Sequence, residues 1–228
     1  MDKATAYGAV DSRFESWVVR FFSIFLFHKS VIHRNSMASE YTFKYLMIGD
    51  PNVGKTSIVS TFINQIFEAD YQPTIGVDYS TYDITIKDTL VHLQIWDTAG
   101  QERYQSLSKS YYHKSVGALL VFSLDSHTSF ANLQKWIDDT HTYSKDIVKI
   151  LLVGNKSDLV TSREVGKNEI DEFIREQQID YIETSALLNS NVSEAFYNIT
   201  ASILQDTQTS CLKIDENLLE RSSSKSCC

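Results

Sequence analysis

The chain has 228 residues but only 8 Gly and 2 Pro, where average usage gives roughly 16 Gly and 11 Pro at this length. This scarcity excludes collagen-like and loop-dominated proteins, and a hydrophobic content of 43% fits a globular chain. The net charge of −8 argues against a nucleic-acid partner. The three cysteines, Cys211, Cys227 and Cys228, all lie near the C-terminus. We therefore expect a core without disulfides or cysteine metal sites, as in a cytosolic protein.

Residues 1–38 are predicted to be a disordered N-terminal extension. Their one apolar run, from Trp17 to Phe27, is 11 residues long and contains Arg20, which is too short for a membrane span of about 20 residues. The same run does not fit a signal peptide well, because the region before it would be unusually long and would contain acidic residues. Met37 is a plausible second start, so the extension is either unstructured or an artefact of an upstream start. The alternative is a segment that binds a membrane or a partner.

Residues 39–204 alternate between strand and helix patterns and are predicted to form one domain. The pattern predicts strands over 41–48, 77–86, 91–96, 117–124, 147–153 and 181–183, and helices over 55–66, 129–143, 164–177 and 192–204. The second and third strands form a hairpin, while the later strands are nearly continuous apolar runs, typical of burial on both faces. The expected fold is α/β, with a six-stranded, mostly parallel sheet and helices on both faces. Residues 205–228 are polar and patternless, so a disordered tail is expected.

The first strand is followed by a phosphate-binding pattern that runs from Gly49 to Thr56 and reads G-x-x-x-x-G-K-T. Such a loop surrounds phosphates with backbone N–H groups at the start of a helix. Lys55 is expected to contact the outer phosphates and the Thr56 hydroxyl a Mg²⁺ ion. The predicted phosphate-binding residues are Asn52, Val53, Gly54, Lys55, Thr56 and Ser57. The alternative is a fortuitous turn that contains Gly and Lys.

The third strand ends in the residues Trp-Asp-Thr-Ala-Gly-Gln, numbered 96–101. Asp97 is suited to hold Mg²⁺, and Gly100 lets the backbone approach a terminal phosphate. Gln101 can orient an attacking water. The alternative is that Asp97 and the threonine after it simply cap a helix.

The fifth and sixth strands are followed by residues suited to a guanine base. The Asp158 carboxylate can accept two hydrogen bonds from the N–H edge of guanine, which adenine does not offer. Lys156 is expected to lie along the base, and Asn155 to connect loops. Ser185 and Ala186 come after the last strand. The backbone N–H of Ala186 can donate to the guanine oxygen. Each short pattern alone is also compatible with an ordinary polar turn.

These patterns occur in order, each at the carboxyl end of a predicted strand, where open α/β sheets bind ligands. The region from about residue 41 to 205 resembles the Ras superfamily of small GTPases and, within it, the Rab family. The resemblance rests on the motifs above and on residues 75–79, 93–104, 111–112 and the terminal Cys-Cys pair. It implies a P-loop GTPase fold.

The resemblance implies further site residues. Thr74 corresponds to the switch threonine that meets the γ-phosphate and Mg²⁺, and Phe67 to the aromatic residue that packs against guanine. Catalysis would involve Gln101 and Lys55. An effector-reading surface would comprise Ile75, Gly76, Val77, Asp78, Tyr79, Trp96 and Tyr111. The alternative for Trp96 and Tyr111 is core packing, and core is what we expect for Phe62, Phe122 and Trp136.

The resemblance also implies a function, a switch between GTP-bound and GDP-bound states that regulates vesicle trafficking. The implied partners are an exchange factor, a GTPase-activating protein, a GDP-dissociation inhibitor or escort protein, and effectors. The motifs supply no obvious cis arginine, so slow intrinsic hydrolysis is expected. The protein is expected to be a monomer on the cytoplasmic face of intracellular membranes, with a cytosolic pool.

Three residues depart from the usual Rab pattern. Pro51 and Asn52 stand where the P-loop commonly has Ser and Gly, and Leu187 stands where a lysine is usual. Pro51 lacks an N–H, whereas Asn52 tolerates a left-handed backbone. These departures keep open a catalytically impaired scaffold that still recruits effectors. A P-loop small-molecule kinase is a weaker alternative, because it has no use for the guanine motif.

The tail contains two adjacent terminal cysteines, Cys227 and Cys228, which resemble a Rab double geranylgeranylation site. Two lipids give a stable membrane anchor where one gives only marginal binding. The tail is not polybasic, so electrostatics would not replace a second lipid. Cys211 lies too far from the end to match this signal. The alternative is that both terminal cysteines stay unmodified.

Overall fold

The computed structural model of the chain describes residues 40–67, 74, 76–98, 111–144 and 146–223, with side chains described as far as Thr209. The predicted extension over residues 1–38 lies outside the described residues. The same holds for five predicted functional residues, which are Ile75, Gly100, Gln101, Cys227 and Cys228. Among the helices in the described part of the chain, none is both long and apolar enough to cross a membrane.

The sheet has six strands in the order β2-β3-β1-β4-β5-β6. β2 and β3 are antiparallel, and every other neighbouring pair is parallel. The strands are β1 (Glu40–Ile48), β2 (Val77–Ile86), β3 (Thr89–Thr98), β4 (Gly117–Ser123), β5 (Lys149–Asn155) and β6 (Asp180–Glu183). The mostly parallel sheet and its hairpin are as predicted.

Helices cover both faces of this sheet, as predicted. They are α1 (Lys55–Asn64), α2 (His127–Ala131), α3 (Leu133–Tyr143), α4 (Lys167–Gln177) and α5 (Val192–Ser223), with a 3₁₀ turn at Val160–Ser162. Alternate residues of a strand point to opposite faces. Along β1, Tyr45 and Met47 accordingly pack in one cluster with residues of α1 and α5, while Leu46 and Ile48 pack in another with residues of α3 and α4.

Each of the four predicted helices differs from the structure in at least one boundary, beginning with the first, which ends at Asn64 rather than at residue 66. The helix predicted over 129–143 is two helices that meet at Asn132. α4 begins at Lys167 rather than at Glu164, since the backbone N–H groups of Glu164 and Val165 bond to the carbonyl of Leu124.

The largest difference concerns the tail, because α5 continues to Ser223 instead of ending at Leu204. Residues 205–223, which the sequence analysis placed in the tail, therefore belong to this helix. Residues 192–223 contain no Gly or Pro to end a helix. The loss of the apolar pattern beyond Leu204 thus marked the end of core packing rather than the end of the helix.

Candidate functional site

The loop between β1 and α1 has the backbone shape that its glycines and Asn52 permit. Gly49 has φ 136°, and a Cβ there would lie 2.0 Å from the carbonyl oxygen of Val121. Asn52 has φ 62° and Gly54 φ 95°. The expectation that Asn52 tolerates a left-handed backbone is confirmed.

Lys55 lies at the start of α1 and beneath this loop, with 5% of its surface exposed. Its Nζ donates to the carbonyl oxygens of Gly49 and Asp50, each at 2.8 Å. Burial lowers the pKa of Lys55 to about 8, although Asp97 and Asp50 oppose that shift. A buried ammonium group thus lies where the loop would enclose phosphates.

Three oxygen-bearing side chains meet beside the loop. The Thr56 hydroxyl donates to Asp97 Oδ2 at 2.6 Å and lies 2.6 Å from the Thr74 hydroxyl. Asp97 is 3% exposed, and its Oδ1 is buried with no hydrogen-bond partner among the described residues. Burial raises the pKa of Asp97, while the Thr56 hydrogen bond and Lys55 lower it.

The unpaired carboxylate oxygen is the feature of this cluster that bears on a metal. Mg²⁺ prefers oxygen ligands and is commonly held by one or two carboxylates together with waters and phosphates. Two hydroxyls and a carboxylate with a free oxygen therefore fit a Mg²⁺ ion at Thr56, Thr74 and Asp97.

A cavity of about 310 Å³ opens next to the loop, at the small end of the range for ligand pockets. Its walls come from the P-loop, Phe67 and the loops that follow β5 and β6. The lining residues are Asn52, Gly54, Ser57, Phe67, Asn155, Lys156, Asp158, Leu159, Ala186 and Leu187. The structure thus brings eight of the predicted nucleotide-binding residues around one space. Leu159 also lines the cavity, although no sequence motif indicated it.

Asn155 connects the loops around this cavity. Its Nδ2 donates to the Val53 carbonyl at 2.9 Å, and its Oδ1 accepts from the Thr184 hydroxyl and from the Ala186 N–H at 3.2 and 3.3 Å. The role expected for Asn155 is therefore present. The Ala186 N–H, expected to meet the guanine oxygen, bonds to Asn155 here.

Two polar contacts orient the remaining base-loop side chains. Asp158 Oδ1 accepts a short hydrogen bond from the Ser185 hydroxyl. Lys156 has φ 64° and pairs with Asp125 at 3.4 Å. Asp125 was missed by the sequence analysis, although its place just after β4 could have indicated it.

Three of the predicted effector residues form an aromatic group on β2, β3 and the segment before β4. The ring of Trp96 lies 5.2 Å from that of Tyr79 and 5.6 Å from that of Tyr111. Lys44, which the sequence did not single out, lies over Trp96 at 4.4 Å. Trp96 and Tyr111 are half-buried against the core, whereas Asp78 and Tyr79 are exposed. The two aromatic residues therefore combine core packing with partial exposure.

Phe62, Phe122 and Trp136 are buried, as predicted. Trp136 has a second contact that its apolar surroundings did not suggest, because its Nε1 donates to Asp50 of the P-loop at 2.9 Å.

Comparison with known proteins identifies the family. The Ras family model matches residues 44–205. The chain is 40% identical to Ras-related protein Rab-15 of Bos taurus over 171 residues, which cover 74% of this chain and 81% of that protein. It is 39% identical to Ras-related protein RABA6b of Arabidopsis thaliana over 179 residues, or 78% of each chain. The chain belongs to the Ras family and, within it, to the Rab-type small GTPases, which hydrolyse GTP and regulate membrane trafficking.

Proposed function

We propose that the nucleotide of this GTPase occupies the space between the P-loop and the loops after β5 and β6, with Mg²⁺ held by Thr56, Thr74 and Asp97. The observation that carries the proposal is the convergence of three sequence-distant groups on one place. These are the buried ammonium of Lys55, the oxygen cluster at Asp97 and the cavity that contains Asp158.

Each group has a distinct task in this proposal. The Lys55 ammonium, which now bonds to two loop carbonyls, turns one or more of its N–H groups to the outer phosphates. The Asp158 carboxylate accepts two N–H groups of guanine, while Phe67 packs against the base. Mg²⁺, when bound, neutralises charge on the outer phosphates.

Hydrolysis in this proposal relies on Gln101, which orients water and lies outside the described residues. No arginine is among the described residues that line the cavity. A GTPase site that lacks an arginine to stabilise the charge of the transition state hydrolyses GTP roughly 10³–10⁵ times more slowly than a site that has one. An activating protein therefore supplies the missing group, and an exchange factor releases GDP. The GTP-bound form, in which Thr74 contacts the γ-phosphate, presents Tyr79, Trp96 and Tyr111 to effectors.

The membrane part of the proposal rests on the sequence. Geranylgeranyl groups on Cys227 and Cys228 anchor the monomer to the cytoplasmic face of intracellular membranes. A GDP-dissociation inhibitor or escort protein maintains the cytosolic pool.

Nucleotide competition tests the proposed site. The full chain is loaded with fluorescent GDP and challenged with excess GTP or ATP, and then GTP hydrolysis is followed over a single turnover. We expect displacement by GTP alone and slow hydrolysis. Equal displacement by ATP would refute the assignment of Asp158 to guanine, and a complete lack of turnover, with and without an activating protein, would refute the proposed role of Gln101.

A further inference from the structure

The carboxylate of Asp50 joins the P-loop to helix α3. Trp136 Nε1 donates to Asp50 Oδ1 at 2.9 Å, and Asn132 Nδ2 donates to Asp50 Oδ2 at 2.7 Å. We call these three residues the Asp50 clamp. Both carboxylate oxygens have an N–H donor, and such bonds to an ionised acceptor are stronger than neutral ones.

The support for the clamp is rigid, because α3 is anchored in the core. Trp136 is 8% exposed and packs with Leu133 and Ile137 against the sheet. Asn132 directly precedes α3 and has helical backbone angles (φ −85°, ψ −2°), so it projects from the same side as Trp136, four residues later. The P-loop is therefore attached to an element that is itself packed into the core.

The backbone of Asp50 connects the clamp to the phosphate site. The Asp50 carbonyl accepts from Lys55 Nζ at 2.8 Å, and Pro51 and Asn52 follow at once in the chain. Displacement of Asp50 would shift a carbonyl that holds the lysine and the loop that would surround the phosphates.

The negative charge of Asp50 makes it possible to distinguish positioning from electrostatic effects. The Asp50 carboxylate lies on the loop that would bind a polyanion, where it disfavours the phosphates by direct repulsion. Asn132 and Trp136 donate neutral N–H groups to it and add no counter-charge. A group that acted through its charge alone would weaken nucleotide binding, so the two effects of Asp50, repulsion and positioning, have opposite signs.

We propose that Asn132 and Trp136 are positioning residues that hold the P-loop through Asp50 and thereby slow the release of guanine nucleotide. This inference rests on the proposed nucleotide site. Loss of a hydrogen bond to a charged group costs enough to change a rate about tenfold. Each of the variants Asn132→Ala and Trp136→Phe should therefore release GDP about tenfold faster than the unaltered chain.

The test is the dissociation rate of fluorescent GDP from the full chain, with excess unlabelled GDP added. Asn132 is exposed, so the Asn132→Ala variant is expected to fold and tests the proposal even if Trp136→Phe does not fold. Gln134→Ala is the matched control, because Gln134 is exposed on the same helix and bonds to Asp138 and Gln177, away from the loop. The control should release GDP at the original rate.

Two further variants separate positioning from charge and from general stability. Asp50→Asn should speed release, whereas a purely electrostatic Asp50 would slow it. In an Asp50→Ala background, Trp136→Phe should add no further acceleration.

Unchanged release in both Asn132→Ala and Trp136→Phe, with a lowered melting temperature, would show a merely structural role and overturn the inference. Failure of the unaltered chain to bind GDP would instead overturn the proposed site.

Discussion

Asn155 Nδ2 donates a 2.9 Å hydrogen bond to the carbonyl of Val53, which lies 102 residues earlier in the chain. Asn155 is 1% exposed, and its side-chain oxygen accepts from Thr184 and Ala186. One side chain thus connects the phosphate loop to both base loops.

Asn155→Ala should destabilise the fold and weaken GDP binding together. The change leaves buried polar groups without partners, each at a cost of about 1–3 kcal/mol. Chemical denaturation and GDP titration measure the two effects. Asn168→Ala, at an exposed position in α4, is the control and should change neither. Normal GDP affinity in Asn155→Ala would contradict the connecting role.

Gly54→Ala should abolish measurable nucleotide binding. Gly54 has φ 95°, and its Cβ would lie 2.3 Å from Asn155 Nδ2, so alanine is strained by its backbone and displaces the connecting side chain. Gly166→Ala is the comparison, since Gly166 has φ −75° and its nearest neighbour is the exposed Glu169 carboxylate at 3.1 Å. Isothermal titration with GDP should show binding only in the second variant.

Asp97→Asn should remove the dependence of nucleotide release on Mg²⁺. The variant keeps the shape of the side chain but loses the charge of the buried, unpaired oxygen. For the unaltered chain we expect chelation by EDTA to speed GDP release about tenfold, which corresponds to about 1.4 kcal/mol. Asp97→Asn should release GDP at one fast rate with or without EDTA. Asp83→Asn, on the exposed part of β2, should keep the response to EDTA, and a persistent response in Asp97→Asn would argue against this ligand.

Asp158→Asn should change base preference. Two hydrogen bonds to a charged acceptor, at about 1.5–3 kcal/mol each, account for roughly a 10²–10⁴-fold preference for guanine. Competition between GDP and XDP measures the change, because the Asn amide can donate to the 2-oxo group of xanthine. Asp180→Asn, at the far end of β6, should leave the preference for GDP intact. The assignment fails if Asp158→Asn binds GDP with unchanged affinity.

Replacement of Cys227 and Cys228 by Ser should release the protein from membranes to the cytosol. Both lipid attachment points are then lost, and the tail lacks the basic cluster that could hold it electrostatically. Fractionation of cells that express each variant measures the effect, with Cys211→Ser as the matched control. If the double variant stays on membranes, the apolar run from Trp17 to Phe27 becomes the better anchor candidate.

Local sequence patterns predicted much of the fold. The strands and most helix positions follow from hydrophobic periodicity, which depends on residues close together in the chain. The extent of α5 did not follow, because the apolar pattern reports where a helix packs and not where it ends. The break at Asn132 was also missed, since Asn is tolerated within a helix.

The sequence by itself determined the chemistry of this protein. A phosphate loop needs consecutive residues with particular backbone angles, so Gly49, Asn52 and Gly54 could be recognised without a structure. Only the tertiary structure decided which side chains meet across the sheet. Asp50 and Trp136 are 86 residues apart. The sequence predicted that Trp136 is a core residue, but this prediction gave no indication of its hydrogen bond to the P-loop. Periodicity reports whether a side chain is buried, whereas the direction of a polar atom depends on how distant elements pack.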